Sequence, residues 1–332
     1  MIISRSPVRI TLGGGGTDLS SYYSKFEGAL LAATINKYTF VTAHPRFEQD
    51  ILLKYSQLEH CEKTAEIKHN IFREALRLLD IKPGLELTSL ADIPGRSGMG
   101  SSGSFTVALL NVLHTYKNEF VSQEQLAEEA CKIEIDMLKE PIGKQDQYIC
   151  SFGGIKQLLF AKDGRVTVKP LDLKDEYVDE LESNLLIFYT GITRHASDIL
   201  KEQNEKSKKK NVTTLDSLHK IKEIGIETKK ALERGDIDKL GEFLHEHWLT
   251  KKQLSTVVSN PFIDECYNLA RKYGALGGKI MGAGGGGFFM FYHNGTNKEK
   301  SEFVKTLNKK GLKKMRFHFD FEGSKILFNS NM

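Results

Sequence analysis

Glycine is distributed along this chain in a way that few folds accommodate. Many of the 29 glycines fall in three clusters: Gly13-Gly14-Gly15-Gly16, Gly98-Met99-Gly100-Ser101-Ser102-Gly103 and Gly282-Ala283-Gly284-Gly285-Gly286-Gly287. Inside a helix or strand such a run is entropically costly and packs nothing. Three clusters therefore mark three places where the backbone must come close to something. The fold must bring elements far apart in sequence to loops of bare main chain.

The segments between the clusters set the fold class. Residues 1–12 alternate as a strand, and 29–45 read as two further strands rich in Ile, Thr, Tyr, Phe and Val. Residues 66–80 carry Ile67, Ile71, Ala75, Leu78 and Leu79 on one helical face. Residues 85–90 form a short strand, and SFTVALLNVLHTY (104–116) an apolar helix. Residues 122–139 predict a helix with Ser122 as N-cap and Gln125 completing a capping box. A hairpin is expected over 153–171, turning at Asp163-Gly164, then a buried strand over 185–190. The charged stretch 201–211 reads as a solvated helix end and loop. Helices follow at 214–233, 236–254 and 262–273, with Ile237, Leu240, Leu244 and Trp248 striping the second, and a strand at 288–293. Strands, helices, strands and helices in that order give α+β rather than a regular βα alternation. Two lobes are expected, 1–180 and 181–332, meeting near 175–190.

Composition excludes several functions. Lys plus Arg is 47 and Asp plus Glu is 43; a net charge of +4 is too small to argue for nucleic acid. No window approaches the roughly 18 apolar residues of a membrane-spanning helix, so no membrane is expected. The opening MIISRSPVRITL has no apolar core or small-residue cleavage site, so no signal peptide is expected. The four cysteines (Cys61, Cys131, Cys150, Cys266) form no C-x-x-C pair and read as reduced, buried thiols, as in the cytoplasm. His245-Glu246-His247 lacks the i, i+4 spacing of a zinc helix and reads as helix surface. No G-x-S-x-G elbow supports a serine hydrolase.

Gly98, Gly100 and Gly103 fit the dinucleotide pattern G-x-G-x-x-G, but Pro94 interrupts the approach and no acid-tipped strand follows about 20 residues on. A P-loop is excluded too: Gly143-Lys144 precedes Gln145 and Gly278-Lys279 precedes Ile280, where Ser or Thr is required. What survives is a set of N–H groups at the start of an apolar helix, with two serine hydroxyls, which suits phosphate. Any charge stabilisation must come from elsewhere than a P-loop lysine.

The segment P94-G-R-S-G-M-G-S-S-G103 resembles the P-x-x-x-G-[LM]-G-S-S motif of the GHMP kinases. S6-P-V-R-I-T-L-G-G-G-G-T-D18 is similar to that family's N-terminal substrate motif, and K279-I-M-G-A-G-G-G-G287 to its C-terminal glycine motif. IISRSPVRITLGGGGTDLSSYY, GALLAATINKY and GKQDQY look most like the family's heptose 7-phosphate kinases. The resemblance implies an N-terminal lobe like ribosomal protein S5 domain 2, a ferredoxin-like C-terminal lobe and a site between them. It implies phosphoryl transfer from ATP, with Mg²⁺, to the C1 hydroxyl of a sugar phosphate, in nucleotide-activated heptose biosynthesis. The alternatives are a fucokinase- or galactokinase-type relative, or a catalytically silent sugar sensor on the same fold. Oligomeric state is not legible.

The resemblance also implies roles. Asp146 matches the catalytic base, although an Asp in a polar segment is by itself a surface residue. Arg9 would be its basic partner, with Arg5 the weaker choice. Pro94, Gly95, Arg96, Ser97, Gly98, Met99, Gly100, Ser101, Ser102 and Gly103 would take the nucleotide phosphates. Ser102 and Glu134 match the metal-binding pair, hard oxygens suited to Mg²⁺, while Asp136 should point elsewhere. Gly15, Gly16, Thr17, Asp18, Gly284 and Gly285 would meet the sugar, and Lys144 and Arg194 its phosphate.

Overall fold

The computed structural model describes residues 1–192 and 212–330. Strand β1 (Ile2–Gly13) runs antiparallel to β2 (Gly28–Pro45). Residues 29–45, expected as two strands, lie within this one strand of 18 residues. It serves two partners in succession. Gly28–Ala33 pairs with β6 (Ile155–Phe160), and Thr39–Pro45 with β5 (Leu85–Ala91). The register between β1 and β2 shifts between Pro7 and Val8, where the proline has no N–H to offer the ladder.

Three short strands complete this sheet on its far sides: β3 (Ile51–Lys54), parallel to β5, β4 (Leu58–Cys61) and β7 (Val166–Pro170). The β6–β7 hairpin turns at Asp163-Gly164 as expected. The last strand, β12 (Lys325–Asn329), returns from the chain's end to pair with β1. Among the described residues the second sheet is four-stranded and antiparallel, in the order β11 (Lys313–Met315), β8 (Leu185–Tyr189), β10 (Phe288–Tyr292), β9 (Gly277–Ile280). The division expected at 180/181 falls inside helix α6 (Asp175–Asn184), just before β8. The return of β12 gives the larger sheet a strand from the far end of the sequence.

Helix α3 (Ser101–Tyr116) is the axis of the first lobe. Every residue from Gly103 to His114 is buried, as an apolar helix without a polar face requires. It packs with α2 (Asn70–Leu78) and the larger sheet around Phe72, Leu76, Leu85 and Leu109. The helix expected over 122–139 begins as α4 (Gln123–Cys131) and then loosens into a π-turn, Lys132–Met137. Ser122 does cap it, accepting from Gln125 N at 3.1 Å. Gln125 does not close the box: its amide reaches Glu129 Oε1 instead, at 2.8 Å.

The second lobe packs α8 (Lys239–Lys252) and α9 (Pro261–Lys272) on β9 and β10, around Trp248, Phe289 and Phe291. One core crosses between the lobes: Val8, Ile10 and Leu12 of β1 meet Ile187, Met290, Leu240 and Leu244. The lobes are therefore packed against each other, which fixes the walls of the cleft they enclose. The expected loop over 201–211 lies outside the described residues.

Phe72 stands behind one cleft wall, fully buried, with its ring 4.9 Å from His69 and 5.0 Å from Phe105. Phe72→Ala should lower the unfolding free energy by about 3–5 kcal/mol. Urea denaturation should show an earlier midpoint with an unchanged slope.

Candidate active site

The cleft has a volume of about 480 Å³ and is lined from all three glycine clusters. Gly100 begins α3 in the left-handed region (φ 75°), and no side chain caps the helix. The first-turn N–H groups at Ser101, Ser102 and Gly103 thus lie at the open end of the helix dipole. Arg96, Ser97 and Gly98 complete the lining loop. Three residues of the expected phosphate loop are elsewhere. Pro94 and Gly95 are exposed outside the cleft, and Met99 is buried in the core that joins the lobes.

Asp146 sits in the first turn of α5 (Gln145–Phe152), and its Oδ1 accepts from Arg9 Nε at 2.7 Å. Arg9 reaches it from β1 and also donates from an Nη atom to Gly98 O at 2.5 Å. The arginine side chain is only 4% exposed and the aspartate 25%, so of the two cleft-lining groups the carboxylate is the more open. The approach depends on missing side chains. A Cβ on Gly100 would stand 3.1 Å from Asp146 Cγ, and one on Gly103 2.8 Å from Asp146 Cβ. Arg5, the weaker candidate, is out of the cleft: it pairs with Glu322 and stacks over Tyr38, 4.1 Å from the ring centre.

Glu134 arrives from the π-turn, fully buried, while Asp136 is exposed. An extra residue per turn is a common way to re-aim a functional side chain. Ser102 Oγ donates to Glu134 Oε1, and Gln147 Nε2 to Oε2 at 2.7 Å. Burial pushes the carboxyl up to about 7 in spite of both bonds. A hydroxyl and a hard carboxylate that cannot ionise comfortably alone fit Mg²⁺, which would favour the charged form. Among the described residues no group of three or more His, Cys, Asp or Glu could hold a metal. Ser102 and Glu134 therefore suit an ion that takes its other ligands from phosphate and water.

Asp18 lies opposite, its oxygens accepting from Gly16 N at 3.1 Å and Gln145 N at 3.2 Å. Burial, and next the charge of Asp146, raise its pKa. Gly15 and Gly16 line the cleft beside it. Thr17 does not: its hydroxyl turns inward to Gly14 O at 2.8 Å and Ala29 O at 3.0 Å, tying the loop to β2. Lys144 also turns away, donating to Gly164 O at 2.6 Å in the β6–β7 turn. Gly284 and Gly285 pack against Val258, Gly285 N donating to its carbonyl at 2.8 Å; Gly282 and Ala283 reach the cleft instead. Arg194 lies outside the described residues.

The second lobe contributes three basic side chains to the cleft that were not among the expected site residues: His247, Lys251 and Lys279. His247 is buried, not helix surface. A signal was there: Lys251 continues the buried stripe Leu240, Leu244, Trp248 at helical spacing, and Lys279 interrupts a buried strand.

Residues 65–154 match the family described as GHMP kinases N terminal domain, and 228–309 that described as GHMP kinases C terminal. A D-glycero-alpha-D-manno-heptose 7-phosphate kinase of Campylobacter jejuni is 33% identical, with 98% of each chain covered. The chain belongs to the GHMP kinase family. A galactokinase of Pyrococcus furiosus is 27% identical to this GHMP kinase over 86% of its chain and 87% of the relative's. A crystal structure of a D-glycero-D-manno-heptose 1-phosphate kinase from Bacteroides thetaiotaomicron superposes with a TM-score of 0.82, at 27% identity and 99% coverage of both chains. The α+β, two-lobed GHMP kinase architecture expected from the motifs is the one found.

Glu134 gives this GHMP kinase a pH signature. Its folded pKa of about 7 lies above the usual carboxyl value, so between about 4.5 and 7 the folded state holds a proton the unfolded chain has lost. Its contribution favours folding at low pH and is lost as pH rises through 7, an effect of about 3 kcal/mol. Without metal, Glu134→Gln should flatten that decline, so that the variant gains on wild type between pH 5 and 8 in denaturant titrations.

Proposed function

We propose that this kinase transfers a phosphoryl group from ATP to the C1 hydroxyl of D-glycero-D-manno-heptose 7-phosphate, giving the 1,7-bisphosphate. The observation that carries the reading is the carboxylate of Asp146, held by Arg9 beside an uncapped helix N-terminus in a cleft that Asp18 also lines. The heptose comes from the name of the Campylobacter jejuni relative, which matches over nearly the whole of both chains. Its product would feed the synthesis of nucleotide-activated heptose.

In this reading Asp18 orients the acceptor. Its two oxygens each take one main-chain N–H and keep lone pairs for sugar hydroxyls. Asp146 Oδ1 is engaged by Arg9, leaving Oδ2 to take the proton of the attacking hydroxyl. The acceptor oxygen forms its bond to the terminal phosphorus as the bond to the bridging oxygen breaks, and ADP leaves. Residues Arg96 to Gly103 that line the cleft would hold the phosphates, and Ser102 with Glu134 the ion. Bound there, Mg²⁺ would neutralise phosphate charge. Positioning and electrostatics supply most of the acceleration in such a transfer.

A coupled ADP-release screen over phosphorylated heptoses, fucose, galactose and mevalonate tests the substrate, with product position fixed by NMR. Turnover of the heptose 7-phosphate to a C1 ester is expected. Strong turnover of unphosphorylated fucose with none of the heptose phosphate would replace the reading by the fucokinase type. Asp146→Asn should keep its affinity for AMPPNP and lose about 10²–10⁴ in kcat. Wild-type kcat in that variant would mean that another group takes the proton.

A further inference from the structure

Two lysines with no acid beside them are buried in the cleft wall contributed by the second lobe. Lys251 is 9% exposed and Lys279 3%, and no described Asp or Glu pairs with either ammonium. Lys251 Nζ donates to the carbonyls of Ile280, at 3.1 Å, and Gly282. Lys279 Nζ has His247 Nδ1 as its neighbour, at 3.3 Å. Three carbonyl or imidazole lone pairs orient these groups but do not neutralise them. Burying an ammonium without a counter-charge costs several kcal/mol, so a fold that buries two side by side holds them for an anion.

Their position says which anion. One of the two carbonyls that hold Lys251 belongs to Gly282, and Gly282 packs on Gly98: a Cβ there would lie 2.6 Å from Gly98 Cα. Gly98 in turn gives its carbonyl to Arg9, the partner of Asp146. The ammoniums thus enter the cleft where the second and third glycine clusters touch, one contact away from the catalytic pair. Burial depresses the pKa of both, Lys251 to about 7, and like charge adds to it, from Arg9 on Lys251 and from Lys251 and then Arg9 on Lys279. A dianion arriving among them would reverse that effect.

We propose that Lys251 and Lys279 form a cationic seat for a phosphoryl group at this end of the cleft, doing for this chain what the absent Gly-Lys of a P-loop does elsewhere. The inference rests on the kinase reading, in that the cleft takes phosphate, but not on the acceptor being a heptose. A terminal, dianionic phosphoryl group has two sources here, the γ-phosphate of the nucleotide and the ester carried by the acceptor.

Titration calorimetry of the full chain separates them, with Mg²⁺-AMPPNP, Mg²⁺-ADP and D-glycero-D-manno-heptose 7-phosphate as ligands. Lys251→Met and Lys279→Met, which keep the packing volume and remove the charge, should each weaken one phosphorylated ligand about 10–100-fold. Weaker AMPPNP with ADP unchanged assigns the seat to the terminal phosphoryl group. Weaker sugar phosphate with AMPPNP unchanged assigns it to the acceptor. Wild-type affinity for all three ligands in both variants would overturn the proposal. If wild type fails to bind the sugar phosphate while the variants lose AMPPNP, the heptose reading falls and the seat stands. Should either variant lose its cooperative thermal transition, crystals of the unaltered protein with each ligand decide. Both ammoniums beyond hydrogen-bond reach of every phosphate oxygen would overturn the proposal.

Discussion

The Arg9–Asp146 ion pair ties together three parts of the chain that the sequence keeps far apart. Arg9 comes from the first strand, Asp146 from the start of α5, and the Gly98 carbonyl that takes the second bond from the loop before α3. A guanidinium buried this deeply is tolerated only when its charge and donors are answered, and removing one partner of such a pair is far costlier than the pair is worth. The answer here is geometric as much as electrostatic. Gly100 and Gly103 let the α3 backbone lie against Asp146. The pair therefore fixes the distance between the amides at the helix start and the carboxylate that faces them, and that distance defines the site.

The apolar periodicities were enough to anticipate the two-lobed α+β architecture and the glycine clusters three points of close backbone approach, while their meeting at one cleft was implied by the motif resemblance. They were enough because close backbone approach and buried faces leave local traces. Finer assignments failed where the deciding contact is tertiary. Thr17 stands in the same motif as Asp18, yet its hydroxyl turns to the backbone of β2. Lys144 is two residues from Asp146, but the turn of a hairpin twenty residues on captures its ammonium. The π-turn that aims Glu134 has no compositional mark, since KIEIDM is compatible with an ordinary helix. The pairing of β12 with β1 joins the two ends of the chain, and no pattern in residues 325–329 (KILFN) announces its partner.

The buried base cluster shows the opposite error, in which a local trace was present and was given an ordinary meaning. A lysine at the next step of an apolar stripe breaks the pattern that makes the stripe a buried face. So does a lysine inside β9, whose four residues are all buried. Such breaks are informative because charge is rarely buried without a partner.

Taken together, the ionisable groups of the cleft are shifted in opposite senses by the same cause. Burial raises Asp18 and Glu134 and lowers Lys251, Lys279 and His247. Acids and bases that satisfied one another would each be drawn toward the charged form. These are not, because the acids belong to the first lobe and Lys251, Lys279 and His247 to the second, with the cleft between them. In the proposed reading each side meets charge of the opposite sign arriving from outside: a cation beside Glu134, an anion beside the lysines. A magnesium-bound phosphate would supply both at once. The protein bears the cost of that arrangement on folding, and so needs little reorganisation when ligand binds, which is the condition under which fixed dipoles and charges act most strongly on a transferring group.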